Sequence, residues 1–306
     1  FEIEDEQLHS YIYDFFMITF KKLYNKIFPN PVTEIAQAVS HDLQSDILEY
    51  RTLALSFLRK CSKFELEQSK TSHRDVYFTE TCSQNLAELI IPFLVFIDDN
   101  YDIDEVDKSL SYFAYRTLKS FVKFDAENLF ALVQEYFAAN NEDSDWKTRC
   151  STVIALRAIL DVGNDIEKYV WSIFTELLNL TQDQNIIVRL HAQKFIASFV
   201  KRYSIIEDPV REVQFIIEIF TELVQQDIAQ TISGCKIIIN FIGRYDEKDY
   251  RSPLADEEIF NSILKPLWEQ FNRPEIVTPS LYNKVKQAIC KLCRKTPYST
   301  MEIRKA

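Results

Sequence analysis

Three glycines, Gly163, Gly234 and Gly243, are all that this chain of 306 residues contains, where an average usage of about 7% would supply roughly twenty. Tight hairpins, phosphate-cradling loops and nucleophile elbows draw on glycine for positive φ or for close backbone approach. Their scarcity therefore excludes most sheet architectures and several classes of enzyme together. No GxGxxG, GxxxxGK(S/T) or GxSxG occurs, and Ser233-Gly234-Cys235 lacks the second glycine of an elbow. Histidine is also scarce. His9, His41, His73 and His191 are scattered, with no HExxH and no pair at metal-ligand spacing. No cofactor, no metal, no small-molecule substrate and no enzymatic activity are expected. There is no run of 18 charge-free apolar residues, and the first residues carry no basic region followed by an apolar one. Membrane insertion is not expected. The chain opens on Phe1 rather than Met, which reads as a fragment of something longer.

What is abundant is apolar material, 47% of residues with aromatics at 13%, and it recurs at three- and four-residue spacing almost throughout. The pattern predicts helices over Leu8–Phe28, Val32–Val39, Ser45–Cys61, Tyr77–Ile97, Ser109–Val122, Ala126–Ala138 and Trp146–Leu160. It continues with Asp165–Leu178, Asn185–Tyr203, Pro209–Asp227, Thr231–Tyr245, Ala255–Phe271 and Ser280–Lys295. Lys63–Arg74 reads as a charged loop and Asp98–Asp107 as an acidic connection. Asp208 before Pro209 is a helix start, because proline fits the first turn and aspartate caps it. Trp146, Trp171 and Trp268 occupy apolar positions and are expected to be buried between hairpins.

A period near 40 residues runs through this pattern. Asp145-Trp146-Lys147-Thr148-Arg149 opens one helix and Asp183-Gln184-Asn185-Ile186-Ile187-Val188-Arg189 opens another. Weaker echoes are Glu49-Tyr50-Arg51-Thr52-Leu53 and Ala114-Tyr115-Arg116-Thr117-Leu118. Self-similarity at such a period marks a helical solenoid, in which each hairpin exposes an apolar face that only a neighbour can bury. The expected fold is all-α: HEAT-like antiparallel hairpins stacked in a right-handed superhelix, with residues 1–306 forming one continuous array. Arg51, Arg116, Asp145, Arg149, Asp183 and Arg189 are expected to form a ladder, an Asp in each turn and an Arg on the second helix facing the adjacent repeat.

The segment Asp145–Ile159, with a Trp and an Arg opening a helix, and the junction Leu177–Arg189 resemble repeats of the importin-β (karyopherin-β) family. Ile263-Leu264-Lys265-Pro266-Leu267-Trp268 with Val285-Lys286-Gln287-Ala288-Ile289 is similar to the larger importins and the importin-α export receptor. The resemblance covers about residues 109–295. It implies a nuclear transport receptor, found in cytoplasm and nucleus, that binds protein cargo on an inner surface. It further implies Ran GTPase controlling release and FG-nucleoporins as further partners. HEAT arrays also build structural subunits of chromosome-associated and kinase- or phosphatase-regulating assemblies, which is the alternative reading.

The net charge is −11. That balance disfavours a binder of nucleic-acid backbones, which needs clustered cations, and suits a receptor for basic partners. The basic spots Lys21/Lys22, Lys201/Arg202 and Lys284–Lys295 read as cations complementing helix C-termini. Acid pairs such as Asp98/Asp99 and Glu257/Glu258 read as solvated loops and helix starts. Cys61, Cys82, Cys150, Cys235, Cys290 and Cys293 read as reduced, buried thiols, with the Cys290/Cys293 pair facing the core rather than holding a metal.

Overall fold

A computed structural model describes residues 6–27, 30–70, 78–98, 109–160, 174, 177–204, 208–245, 252–273 and 278–296. Every regular element among them is helical. Two compact units, Phe1–Trp171 and Ser172–Ala306, divide the chain.

The first unit contains α1 (Glu6–Ile27), α2 (Asn30–Gln44), α3 (Leu48–Ser69), α4 (Phe78–Ile90), α5 (Leu110–Phe121), α6 (Ala126–Asn140) and α7 (Trp146–Leu160). A 3₁₀ turn, Ile91–Val95, continues α4 across Pro92, whose missing N–H is tolerated at a helix start. Alternate helices pack side by side. α1, α3, α5 and α7 make one layer, and α2, α4 and α6 make the other. In the second unit residues 177–180 are helical, followed by α8 (Ile186–Arg202), α9 (Pro209–Val224), α10 (Ile228–Ile242), α11 (Glu257–Phe271) and α12 (Pro279–Lys295). Here α8, α10 and α12 form one layer, with α9 and α11 in the other.

The layers explain the residue patterns. α7, α8 and α10 bury residues around most of their circumference. Residues Cys150–Leu156 of α7 are buried without interruption. The helices α9 and α11 cover one side only and bury a single stripe, such as Val213, Ile216, Phe220 and Leu223 on α9. Polar loops supply the helix starts in place of glycine turns. Ser109, Asn185, Asp208, Asp227, Asp256 and Thr278 each accept a backbone N–H at the start of the next helix, a contribution of about 1 kcal/mol per cap.

Two expectations change. The Lys63–Arg74 loop is α3 as far as Ser69, because Glu65 is an interior residue. Its carboxyl accepts from Phe78 N (2.6 Å) and Thr79 N (3.0 Å), so it caps α4 from the neighbouring helix. Tyr24 and Thr79 donate their hydroxyls to the same group. Trp146 and Trp268 are half-buried rather than interior. Trp268 stacks on Phe271, which stacks in turn on Tyr282. Trp171, most of the helix expected over Asp165–Leu178 and nearly all of the acidic connection Asp98–Asp107 lie outside the described residues.

Candidate partner-binding surface

Arg149 and Arg189, forty residues apart, stand at the same place: each is the fourth residue of its helix. Each turns its guanidinium back onto its own turn. Arg149 Nη1 donates to the carbonyls of Asp143 (2.8 Å) and Ser144 (3.1 Å). Arg189 Nη1 donates to those of Asp183 (2.6 Å) and Gln184 (3.0 Å). The turn aspartates match as well, since Asp143 accepts from Asp145 N and Asp183 from Asn185 N, both at 2.7 Å. Asp145 caps α7, accepting from Lys147 N and from both Thr148 N and Thr148 Oγ1. Desolvation raises its carboxyl, but the bonds from Lys147 and Thr148 together with the Lys147 charge outweigh that and hold it below the usual range. With its amide oxygen turned to Arg189 Nε (3.3 Å), Gln230 on α10 links that clamp to the next hairpin.

Arg51 is also the fourth residue of its helix. It reaches the Asp46 carboxyl at 3.6 Å and lies over the Phe93 ring. Arg116 does not share this register. It is the seventh residue of α5, exposed, and lies over Tyr112.

Among the described residues no group of three or more His, Cys, Asp or Glu could hold a metal ion. None of their helices is long and apolar enough to cross a membrane. The nearest approach to a catalytic constellation is His9 Nε2 (2.8 Å) and Tyr13 Oη (2.7 Å) on Asp42 Oδ2. His9 stacks flat on Tyr50 at 3.8 Å, and all four groups are buried. That arrangement ties α1 to α2 and α3 and presents no nucleophile. Burial and the bond to Asp42 push the Tyr13 phenol well above its ordinary range.

Charge, by contrast, is sorted by layer. In the second unit α8 carries four Lys or Arg, α10 one and α12 five, with no Asp or Glu on any of the three. Their partners α9 and α11 carry six acids against Arg211 and Lys265. The first unit repeats the sorting in part: α2, α4 and α6 hold six acids and no Lys or Arg, and α5 and α7 hold no acid, while α1 and α3 beside them carry five. Between α10 and α12 an open pocket of about 560 Å³ is lined by Ile239, Cys290, Lys286, Lys291, Arg294 and Lys295, among others. Burial lowers the Lys291 ammonium below its usual range, and Lys295 and Lys201 lower it further. Lys194 is brought down to about 8 by burial, with Lys236 beside it.

Cys290 opens onto this pocket. The buried stripe of α12 is Leu281, Val285, Ala288, Ile289 and Leu292, and at about 100° per residue position 290 falls on the far side. The expected core-facing thiol pair is thereby corrected. Cys290 is exposed and Cys293 half-buried, while Cys61, Cys150 and Cys235 are interior. Burial pushes the Cys82 and Cys293 thiols up to about 11, away from the reactive thiolate. A thiol reagent applied to native protein should modify Cys290 first, Cys82 and Cys293 slowly, and the other three only on unfolding. Mass-spectrometric mapping reads this out, and a protected Cys290 would mean that α12 is rotated.

A second surface feature lies on α1. Leu8, Tyr11, Phe15 and Ile18 are exposed, while Tyr13, Met17, Phe20 and Tyr24 are buried. The two sets point in opposite directions around the helix, as for a helix sandwiched between two others.

The arrangement of layers has counterparts among solved structures. Yeast importin-β (Kap95p) superposes on 98% of this chain with a TM-score of 0.83 at 15% identity. The fold is that of the importin-β solenoid. Kap95p bound to RanGDP, described with its switch loops in the GTP-bound conformation, matches equally at 0.83 and 16% identity over 98% of the chain. The karyopherin Kap121p bound to Nup53p matches 98% of the chain at 0.71 and 12% identity. The chain spans about a third of the length of these importin-β-fold proteins: 35%, 36% and 29% respectively. No protein-family profile and no curated sequence matches it.

Proposed function

We propose that this chain is part of a nuclear transport receptor of the karyopherin-β type. In this reading it moves between cytoplasm and nucleus, with protein cargo, Ran and FG-nucleoporins as partners. The observation that carries the reading is the superposition on importin-β over almost the whole chain. Kap95p with RanGDP and Kap121p with Nup53p supply the partner classes. The mechanism is conformational: partners that favour different curvatures of one solenoid compete through the shared backbone, and no covalent step is involved. The two units are stretches of one continuous array, 1–306, whose matched Arg149 and Arg189 turns mark the repeat. The outward stripe of α1 receives a further hairpin of a longer solenoid.

The test is retention of Ran by the immobilised full-length protein. Ran locked in its GTP state should be held and Ran·GDP released, and an FG-repeat peptide should bind independently. Retention of neither Ran form, together with co-purification in a fixed stoichiometric complex, would favour a structural HEAT subunit and sink the transport reading.

A further inference from the structure

The sorting of charge in the second unit goes beyond what helix ends require. Lys201, Arg202, Arg294 and Lys295 lie in last turns, where cations complement the helix dipole. Lys284, Lys286 and Lys291 lie earlier in α12, outside its last turn, and gain nothing of that kind. Lys284, Lys291 and Lys295 recur at seven- and four-residue spacing, so they share one stripe of α12. On α8, Lys194 and Lys201 are also seven apart. α10 runs between these two helices. Seven residues after its Lys236, at the end of the corresponding stripe, stands Gly243.

That glycine is at φ −65°, where any residue is comfortable. Its use is space, since a Cβ there would come within 2.5 Å of Lys291 Nζ. The glycine lets the ammonium lie against the end of α10, where Lys201 and Lys295 raise the local potential. Among the described residues, no ion pair joins a carboxyl group to Lys201, Lys286, Lys291, Arg294 or Lys295. Like charges gathered on one face cost stability unless an anion meets them, and such an arrangement suits a surface shaped for an anionic partner.

We propose that the α8–α10–α12 layer, centred on the pocket of Lys286, Lys291, Arg294 and Lys295, binds an acidic segment of a partner protein. The partner is a short stretch rich in Asp and Glu, with an aliphatic side chain set against Ile239 and Cys290 on the pocket wall. A long polyanion fits less well. Double-stranded DNA carries a charge about every 1.7 Å and would run off the patch onto a chain whose balance is −11. A short segment meets only the local potential, because screening at physiological salt confines it to about 8 Å. The inference rests on the protein-binding reading above and is independent of Ran.

The experiment is fluorescence anisotropy of a labelled peptide of about twelve residues, Asp and Glu with two leucines, against the full-length protein at about 50 mM salt. Controls are the same peptide with Asn and Gln in place of its acids, and a single-stranded DNA of equal length. The double variant Lys286→Glu/Arg294→Glu changes two exposed side chains, and circular dichroism confirms that it folds. The acidic peptide should bind, its amide counterpart should not, and the double variant should lose roughly tenfold or more in affinity, about 1.4 kcal/mol. Equal affinity in wild type and variant, no binding at low salt, or tighter binding of the DNA would each overturn the proposal. A protein that retains Ran·GTP but ignores the peptide refutes this surface alone. One that binds the peptide but not Ran refutes only the transport reading.

Discussion

Replacing Arg244 by alanine should cost the second unit about 3–5 kcal/mol, the usual penalty for stranding one member of a buried ion pair. Arg244 follows α10 and donates through Nη1 and Nη2 to the two oxygens of Glu212, at 2.8 and 3.2 Å. Glu212 sits in the first turn of α9 and is 1% exposed, so water cannot replace the guanidinium. The pair closes the α9–α10 hairpin at the end opposite its connecting loop. Arg244 also covers the face of Phe241 at 5.4 Å. Urea unfolding followed by native-state hydrogen exchange measures the loss and shows whether it falls on α9 and α10. Glu212→Met combined with Arg244→Leu should recover most of the stability, because two apolar groups leave no buried charge behind. Arg244→Ala within about 0.5 kcal/mol of wild type would show that Glu212 is solvated in solution.

Glu65→Leu should be comparably severe in the first unit, at about 3–5 kcal/mol. Leucine nearly preserves volume, so the loss isolates hydrogen bonding. The backbone N–H groups of Phe78 and Thr79 and the Tyr24 hydroxyl would all lose their acceptor in a site with no water access. Each stranded buried group costs about 1–3 kcal/mol, and relaxation of the α4 terminus returns part of the sum. The readout is exchange protection in α3 and α4. Unchanged protection there would mean that the α4 start is capped from elsewhere. Since each unit has its own core, this variant and the Arg244 variant should report separately.

The helical architecture was readable because its signals are local. Trp146–Leu160 has the same ends in sequence and structure, fixed by Asp145 before it. Asp208–Pro209 and Ser109 mark helix starts through chemistry that acts within three residues. Glu65 was misread because its partners are thirteen and more residues away, and a charged side chain in a polar stretch looks solvated until a second helix covers it. Arg116 sits in a Tyr-Arg-Thr-Leu string like that of Arg51, yet the helix start three residues earlier gives it another register. The charge pattern was hidden for a related reason. A net −11 over the whole chain hides the basic helices of the second unit, and assigning a helix to a layer requires knowing which helices stack. Net charge alone pointed to basic partners, whereas the α8–α10–α12 layer of the second unit is itself basic.

The arginine clamps at Asp143–Ser144 and Asp183–Gln184 have a mechanical consequence. A glycine turn is a hinge, because its backbone has many accessible states. These turns have their carbonyls tied to a side chain of the helix that follows, so bending there would break two hydrogen bonds at once. Each clamped turn is therefore stiffer than a glycine turn, and elastic deformation within a unit must be taken up by sliding between its packed helices, where apolar side chains shift without losing directional bonds. A partner that flexes this chain spends its work in the side-chain packing and leaves the loops at rest.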